Sequence, residues 1–361
     1  MENKLKVGIV GATGMVGQKF ITLLYNHPWF DIVLLAASPR SAGKTYNEAV
    51  GSRWAQSIDI PDFIGNMIVE DAMNIKKIGQ DVDFVFCAID MDKQATKELE
   101  EAYAKAEIPV VSNNSAHRGT KDVPMVIPEV NNEHIKIIEA QRKRLNTKRG
   151  FIAVKPNCSI QSYVPIMAAW KELGIKEAVI CTYQAISGAG KTFDTWPEMV
   201  DNVIPYIGGE EEKSEKEPLK VWGKIVGDEI VNAEEPVISA QCIRVAAADG
   251  HMAAVSVKFE KETSVEELIK LAKEYSGRPQ ELELPNAPKQ FIQYMEEDNR
   301  PQTKLDRDYE NGMGISLGRL RKDHIYDYKF IGLSHNTLRG AAGGAVLIAE
   351  LLVAEGYISA K

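Results

Sequence analysis

Gly8-Ile-Val-Gly11-Ala-Thr-Gly14-Met-Val-Gly17 closes the apolar run at residues 4–10 and opens a helical stretch at 15–25. Its spacing, G-x-x-G-x-x-G, is a variant of the dinucleotide-binding fingerprint. Glycines there allow a tight turn and close approach of backbone to a pyrophosphate, and free amides at the helix start hold the phosphates. Glycine-rich turns also arise for structural reasons alone, so the strand–loop–helix context carries the functional reading. Gly11, Ala12, Thr13, Gly14, Met15 and Val16 are therefore the expected cofactor contacts.

Outward from this loop, strand and helix signals alternate. Residues 31–37, 82–88 and 108–112 read as buried strands and 93–106 as a helix. Such alternation predicts parallel βαβ units in a doubly wound, Rossmann-like sheet. The end of the second strand selects the nucleotide. An NAD-type site places an acid about 20 residues beyond the loop, on the ribose 2′-hydroxyl. Here the chain reads Ala36-Ala37-Ser38-Pro39-Arg40-Ser41, with no carboxylate to repel a 2′-phosphate. NADP is the expected cofactor, with Ser38, Arg40 and Ser41 as contacts; taken alone Arg40 could be an ordinary surface arginine, but the missing acid is independent support.

Beyond residue 155 the texture changes. Residues 178–187, 237–245 and 253–259 look like longer strands, and a polar, helix-rich insertion runs to about 231. Residues 264–275 read as a helix capped by Ser264, with Glu267 as its capping-box partner. The expectation is an α+β second domain on a mostly antiparallel sheet. A last helix, 336–356, is rich in glycine and alanine in its first half and is expected to return to the first domain. The division expected is 1–155 for nucleotide binding, 156–335 for catalysis and dimerisation, and 336–361 for the returning helix.

Composition narrows the class. A chain of 361 residues suits two domains, and 44% hydrophobic with 26% charged residues is the balance of a soluble globular protein. A net charge of −8 argues against nucleic-acid or polybasic membrane partners. The first strand begins almost at Met1, leaving no room for a signal peptide, and no apolar run reaches membrane-spanning length. Cys87, Cys158, Cys181 and Cys242 are scattered, which suggests neither zinc nor a disulfide framework and fits a reducing cytoplasm.

Lys155-Pro-Asn157-Cys158-Ser-Ile-Gln161 follows a short strand signal at 150–154. A thiol at a helix start feels the positive end of the dipole, which favours the nucleophilic thiolate. Taken alone, Cys158 reads more readily as a buried small hydrophobe. The second cluster is Arg244-Val-Ala-Ala-Ala-Asp-Gly-His251. A histidine can move protons near neutral pH, and an arginine fork matches a carboxylate. Arg244 could also be an internal ion-pair partner.

With Gly11-Ala-Thr-Gly14, Ser112-Asn-Asn-Ser-Ala-His-Arg118, Asn157-Cys158, Tyr183-Gln184-Ala-Ile-Ser187-Gly-Ala-Gly190, Arg244…His251 and Ser334-His-Asn336-Thr337 in this order, the chain resembles the aspartate-β-semialdehyde dehydrogenase family, in its archaeal and fungal branch. The resemblance covers essentially the whole length. It implies NADPH-dependent reductive dephosphorylation of β-aspartyl phosphate through a cysteine thioester, in lysine, threonine and methionine biosynthesis, by a homodimer or homotetramer. By the same resemblance Cys158 is the nucleophile, His251 the acid/base and Gln184 an orienting group. Arg244 holds the substrate carboxylate and Glu210 its ammonium. Arg118 and Lys213 take the phosphoryl group with Asn113 nearby, and Asn157 belongs to the substrate site. Ser187, Gly188, Ala189, Gly190 and Asn336 line the cofactor site. The register at Glu210-Glu-Glu-Lys213 could shift by one, and a solvated charged loop describes that stretch as well. No metal-ligand spacing is present. Malonyl-CoA reductase, N-acetyl-γ-glutamyl-phosphate reductase and a non-catalytic NADP sensor are the competing readings.

Overall fold

The computed structural model describes residues 4–361. Its first sheet runs β3-β2-β1-β4-β5-β6, with β1 Leu5–Val10, β2 Phe30–Ala37, β3 Glu70–Asp71, β4 Phe84–Cys87, β5 Val110–Ser112 and β6 Ile152–Val154. Every pairing in it is parallel. The central strands are buried almost end to end, as a parallel sheet covered on both faces requires. Phe20 from the helix Met15–Leu24 stacks on Phe86 at 4.6 Å, one contact in an aromatic cluster that includes Phe30 and Phe84.

The second sheet has the order β13-β14-β15-β12-β7-β11-β8, comprising β7 Ile175–Gln184, β8 Val203–Ile204, β11 Val237–Val245, β12 His251–Phe259, β13 Ile292–Met295, β14 Ile315–Lys322 and β15 Tyr328–Ser334. It is mixed rather than uniformly antiparallel, because β7–β11 and β13–β14 run parallel. Strict alternation of burial along β12 shows one face on the core and the other open. A separate hairpin joins β9 Lys224–Val226 to β10 Glu229–Val231.

Several expectations are corrected. The strand expected to reach residue 187 stops at Gln184, and Ile186–Ala189 form a 3-10 turn. The helix Val265–Glu274 is capped from one side only: Ser264 accepts the Glu267 amide at 3.1 Å, whereas the Glu267 carboxylate accepts from Thr263. The last helix begins at Ala342 rather than 336 and ends at Ala354. Residues 336–341 fold instead into turns against the loop that carries Cys158, where a Cβ on Gly340 would lie 2.8 Å from that of Cys158. The helix itself is buried, packing against the Met15–Leu24 helix and β5. No helix among the described residues is long and apolar enough to cross a membrane.

Candidate active site

Gly14 caps the first helix without a side-chain hydrogen bond, so the amides of that turn are left for a ligand. Gly11 has φ +89°, and a Cβ there would lie 2.4 Å from the Ala88 carbonyl oxygen, so only glycine fits this turn. A cleft of about 550 Å³ runs from Met15 and Val16 to Ser187, Gly188, Gly190 and Thr337, joining the glycine loop to the second domain. At the end of β2, Ser38 and Arg40 are exposed and Ser41 is buried beneath their turn. No carboxylate occurs between Asp31 and Glu48. These residues fit a dinucleotide carrying a 2′-phosphate.

Cys158 stands where β6 gives way to a four-residue 3-10 turn, Ser159–Ser162. The expected lowering of its thiol pKa by a helix dipole is not found. So short a turn has little dipole, and burial pushes the thiol above its ordinary value, with the Glu210 carboxylate adding to the effect. Lys155, Arg118 and Arg244 act in the opposite sense without prevailing. Lys155 itself is buried, donates to the Pro156 carbonyl and is lowered to about 7, by burial first and then by Arg118.

The stretch open to reading as a solvated loop is the helix Glu210–Val221, with Glu210, Ser214, Glu217 and Lys220 buried along it. Glu210 accepts from Asn157 Nδ2 (3.0 Å to each oxygen), Gln184 Nε2 (3.1 Å) and Lys213 Nζ (2.7 Å). Burial works to raise its pKa, but the Lys213 charge and these hydrogen bonds hold it below the ordinary value. Asn157 Oδ1 accepts from the Ser159 amide and hydroxyl, so both ends of that side chain serve the loop.

The peptide of Ala185 sets the other side. Its N–H donates to His251 Nδ1 at 3.1 Å and its carbonyl accepts from Arg244 Nη1 at 2.7 Å. His251 is fully buried, and burial first, then Arg244, holds it down to about 3. Its Nε2 has no hydrogen-bond partner among the described residues. A Cβ on Gly188 would meet both that Nε2 and Arg244 Nη1 at 2.9 Å, which explains the glycine. Asn336 ties the walls together: its Oδ1 accepts from the Gly250 amide and its Nδ2 donates to Ser187 Oγ, each at 2.8 Å. Arg244 and Glu210 both act on Cys158 and on His251, so the four form one electrostatic cluster.

A second cleft, of about 340 Å³, is lined by Ser115, Arg118, Lys213, Lys216, Glu217 and Lys220, among others. Arg118 donates through Nε to the Lys155 carbonyl (2.9 Å) and through Nη1 to Glu217 (3.0 Å). Its Nη2 is 3.4 Å from the carbonyl of Asn113, whose own Oδ1 is buried without a partner among the described residues. Glu217 and Lys220 were not singled out from sequence. The i, i+4, i+7, i+11 spacing of Glu210, Ser214, Glu217 and Val221, which places them on one helical face, was the available signal.

A nucleotide-type parallel sheet meeting a mixed-sheet domain at one cysteine-bearing loop is the architecture of a two-domain, nucleotide-dependent dehydrogenase. Residues 6–138 match the family described as semialdehyde dehydrogenase, NAD binding domain, and residues 164–339 its dimerisation domain. The chain belongs to the semialdehyde dehydrogenase family. It is 46% identical to the aspartate-semialdehyde dehydrogenase of Archaeoglobus fulgidus, over 98% of this chain and 100% of that one. To the enzyme of the same name from Saccharomyces cerevisiae it is 40% identical, over 99% and 100%. The crystal structure of aspartate semialdehyde dehydrogenase with NADP from Candida albicans superposes with a TM-score of 0.89 at 37% identity, covering 99% of this chain and all of that one. These matches do not favour the malonyl-CoA or sensor readings.

Proposed function

We propose that the protein is an NADP-dependent aspartate-semialdehyde dehydrogenase. It interconverts L-β-aspartyl phosphate and L-aspartate 4-semialdehyde plus phosphate, in the biosynthesis of lysine, threonine and methionine. One observation carries the substrate: Arg244 and Glu210, a buried cation and a buried anion, both act on Cys158, and Arg118, which acts on it too, shares a cleft with Lys213. An α-amino acid presents a carboxylate and an ammonium together, and an acyl phosphate adds a dianion at the far end. Full-length similarity to enzymes of that name supports the same substrate.

In the biosynthetic direction the Cys158 sulfur attacks the acyl carbon, the carbon–oxygen bond to phosphate breaks, and the thiol proton leaves on hydrogenphosphate. Arg118 and Lys213 offset the charge of that leaving group. The substrate ammonium neutralises Glu210 and so relieves one of the two effects that keep the thiol protonated. Bound NADPH supplies hydride to the thioester carbon. The His251 Nε2–H donates to the carbonyl oxygen as negative charge develops there, and collapse returns the Cys158 thiolate and frees the aldehyde. Gln184 and Asn157 hold Glu210 in place.

The proposal extends to a division near 155 and 335, a cytoplasmic location and a homodimer or homotetramer. Support for assembly comes from the open face of the second sheet and the match to a dimerisation domain. Purified protein given aspartate semialdehyde, phosphate and NADP should reduce the nucleotide, followed by absorbance. Malonyl-CoA with NADPH should give no oxidation; the reverse pair of results overturns the proposal.

A further inference from the structure

The proposed chemistry leaves Lys220 without a task, yet its ammonium is among the most fully bonded groups near the site. It is 5% exposed, and Nζ donates to the backbone carbonyls of Arg118 (2.8 Å), Thr120 (2.7 Å) and Val123 (2.9 Å). An ammonium has three N–H donors and no acceptor, so the three carbonyls use it completely. One turn earlier on the same helix, Glu217 accepts from Arg118 Nη1 at 3.0 Å and from the Asn157 amide at 2.6 Å. Arg118 is thus held at its backbone by Lys220 and at its guanidinium by Glu217 and the Lys155 carbonyl.

We infer that Lys220 is a positioning residue for the anion site: by clamping the 118–123 backbone to the 210–221 helix, it fixes Arg118 at the spacing from Lys213 that a phosphoryl group requires. The two cations come from different parts of the chain, Arg118 from the loop after β5 and Lys213 from the helix Glu210–Val221. Their separation therefore depends on a link between those elements, which Lys220 supplies from the helix side. Burial lowers Lys220 to about 8, opposed by Asp122 and Glu217. The site accepts that cost because three carbonyls, with no nearer anion, are its direct partners. A neutral side chain there leaves the carbonyls unpaired and frees the loop.

The inference rests on the function proposed above, and its test separates the two. Wild-type turnover with aspartate semialdehyde, inorganic phosphate and NADP tests the function. Calorimetric titration with inorganic phosphate, which needs no turnover, tests the clamp. In Lys220→Met both the phosphate KM and the calorimetric Kd should rise about tenfold or more, as expected when charge-assisted hydrogen bonds that order a binding group are lost. The kcat at saturating phosphate should stay within about threefold, with KM for aldehyde and NADP unchanged. Lys220→Arg separates positioning from simple charge. Its planar fork cannot converge on three carbonyls, so a clamp predicts weakened phosphate binding there too. Wild-type phosphate binding in Lys220→Arg, or in a folded Lys220→Met, overturns the inference. So does a parallel loss for all three substrates, which would mark a general structural role. Should Lys220→Arg fail to fold, Lys220→Met decides the matter.

Discussion

His251 Nδ1 accepts its hydrogen bond from the backbone N–H of Ala185, which fixes the neutral ring with its hydrogen on Nε2. The resting imidazole is thereby a donor aimed past Gly188 and cannot serve as a base toward the thiol from that nitrogen. Its role in the proposed chemistry is accordingly directed at the carbonyl oxygen. A stability consequence follows from the same burial. The folded value is held down to about 3, against about 6.5 in an unfolded chain. Below about 6.5 the unfolded state takes up a proton that the native state refuses, so stability present above that pH is lost as pH falls toward 3.

Replacing His251 with Gln removes this pH dependence. Thermal unfolding followed by circular dichroism from pH 7 to pH 4 should show the wild-type midpoint falling more steeply than that of His251→Gln. His117 and His134, which burial also lowers, contribute to both curves alike. Parallel curves would contradict the assignment.

Glu210→Gln makes two changes of opposite sense. Glu210 helps to keep the Cys158 thiol protonated, so loss of its charge should move the pH midpoint of Cys158 alkylation downward in ligand-free protein. The same loss removes the partner for the substrate ammonium, and KM for aspartate semialdehyde should rise about tenfold or more. Iodoacetamide kinetics across pH, beside steady-state assays, check both. An alkylation midpoint that stays put or rises would show that Glu210 does not govern the thiol.

Cys158→Ser substitutes a hydroxyl of far higher pKa for the nucleophile. Turnover should fall at least about 10³-fold. NADPH affinity, measured by nucleotide fluorescence, should change less than about twofold, because the glycine loop and the Ser38/Arg40 turn are untouched. Turnover near the wild-type rate would remove Cys158 from the mechanism.

The elements legible in sequence were those set by local pattern. The glycine loop follows β1 as read, and β11, Val237–Val245, was bounded correctly because alternation and turn residues frame it. What escaped was set by distant partners. The charge density of residues 210–217 left a solvated loop open as a reading, yet Glu217 is buried against Arg118, 99 positions earlier in the chain. Glycines and alanines at 336–341 looked helical, but close packing of Gly340 on Cys158 imposes turns. For Cys158 the local dipole pointed one way, and tertiary burial with Glu210 prevailed in the other.

Nucleotide choice offers a test confined to the first domain. The turn after β2 exposes Ser38 and Arg40 and carries no acid, so the proposed 2′-phosphate site offers a cation and a hydroxyl there. Combining Arg40→Ala with Ser38→Asp removes the cation and introduces a charge that repels the phosphate while accepting a hydrogen bond from a 2′-hydroxyl. A charge-assisted hydrogen bond contributes about 1.5–3 kcal/mol, so NADPH affinity should fall at least about tenfold. NADH, lacking the phosphate, should bind as before or better. Fluorescence titration of both nucleotides against wild type and the double variant measures the ratio directly. Equal weakening for the two would mean that the turn shapes the ribose pocket generally and does not read the phosphate.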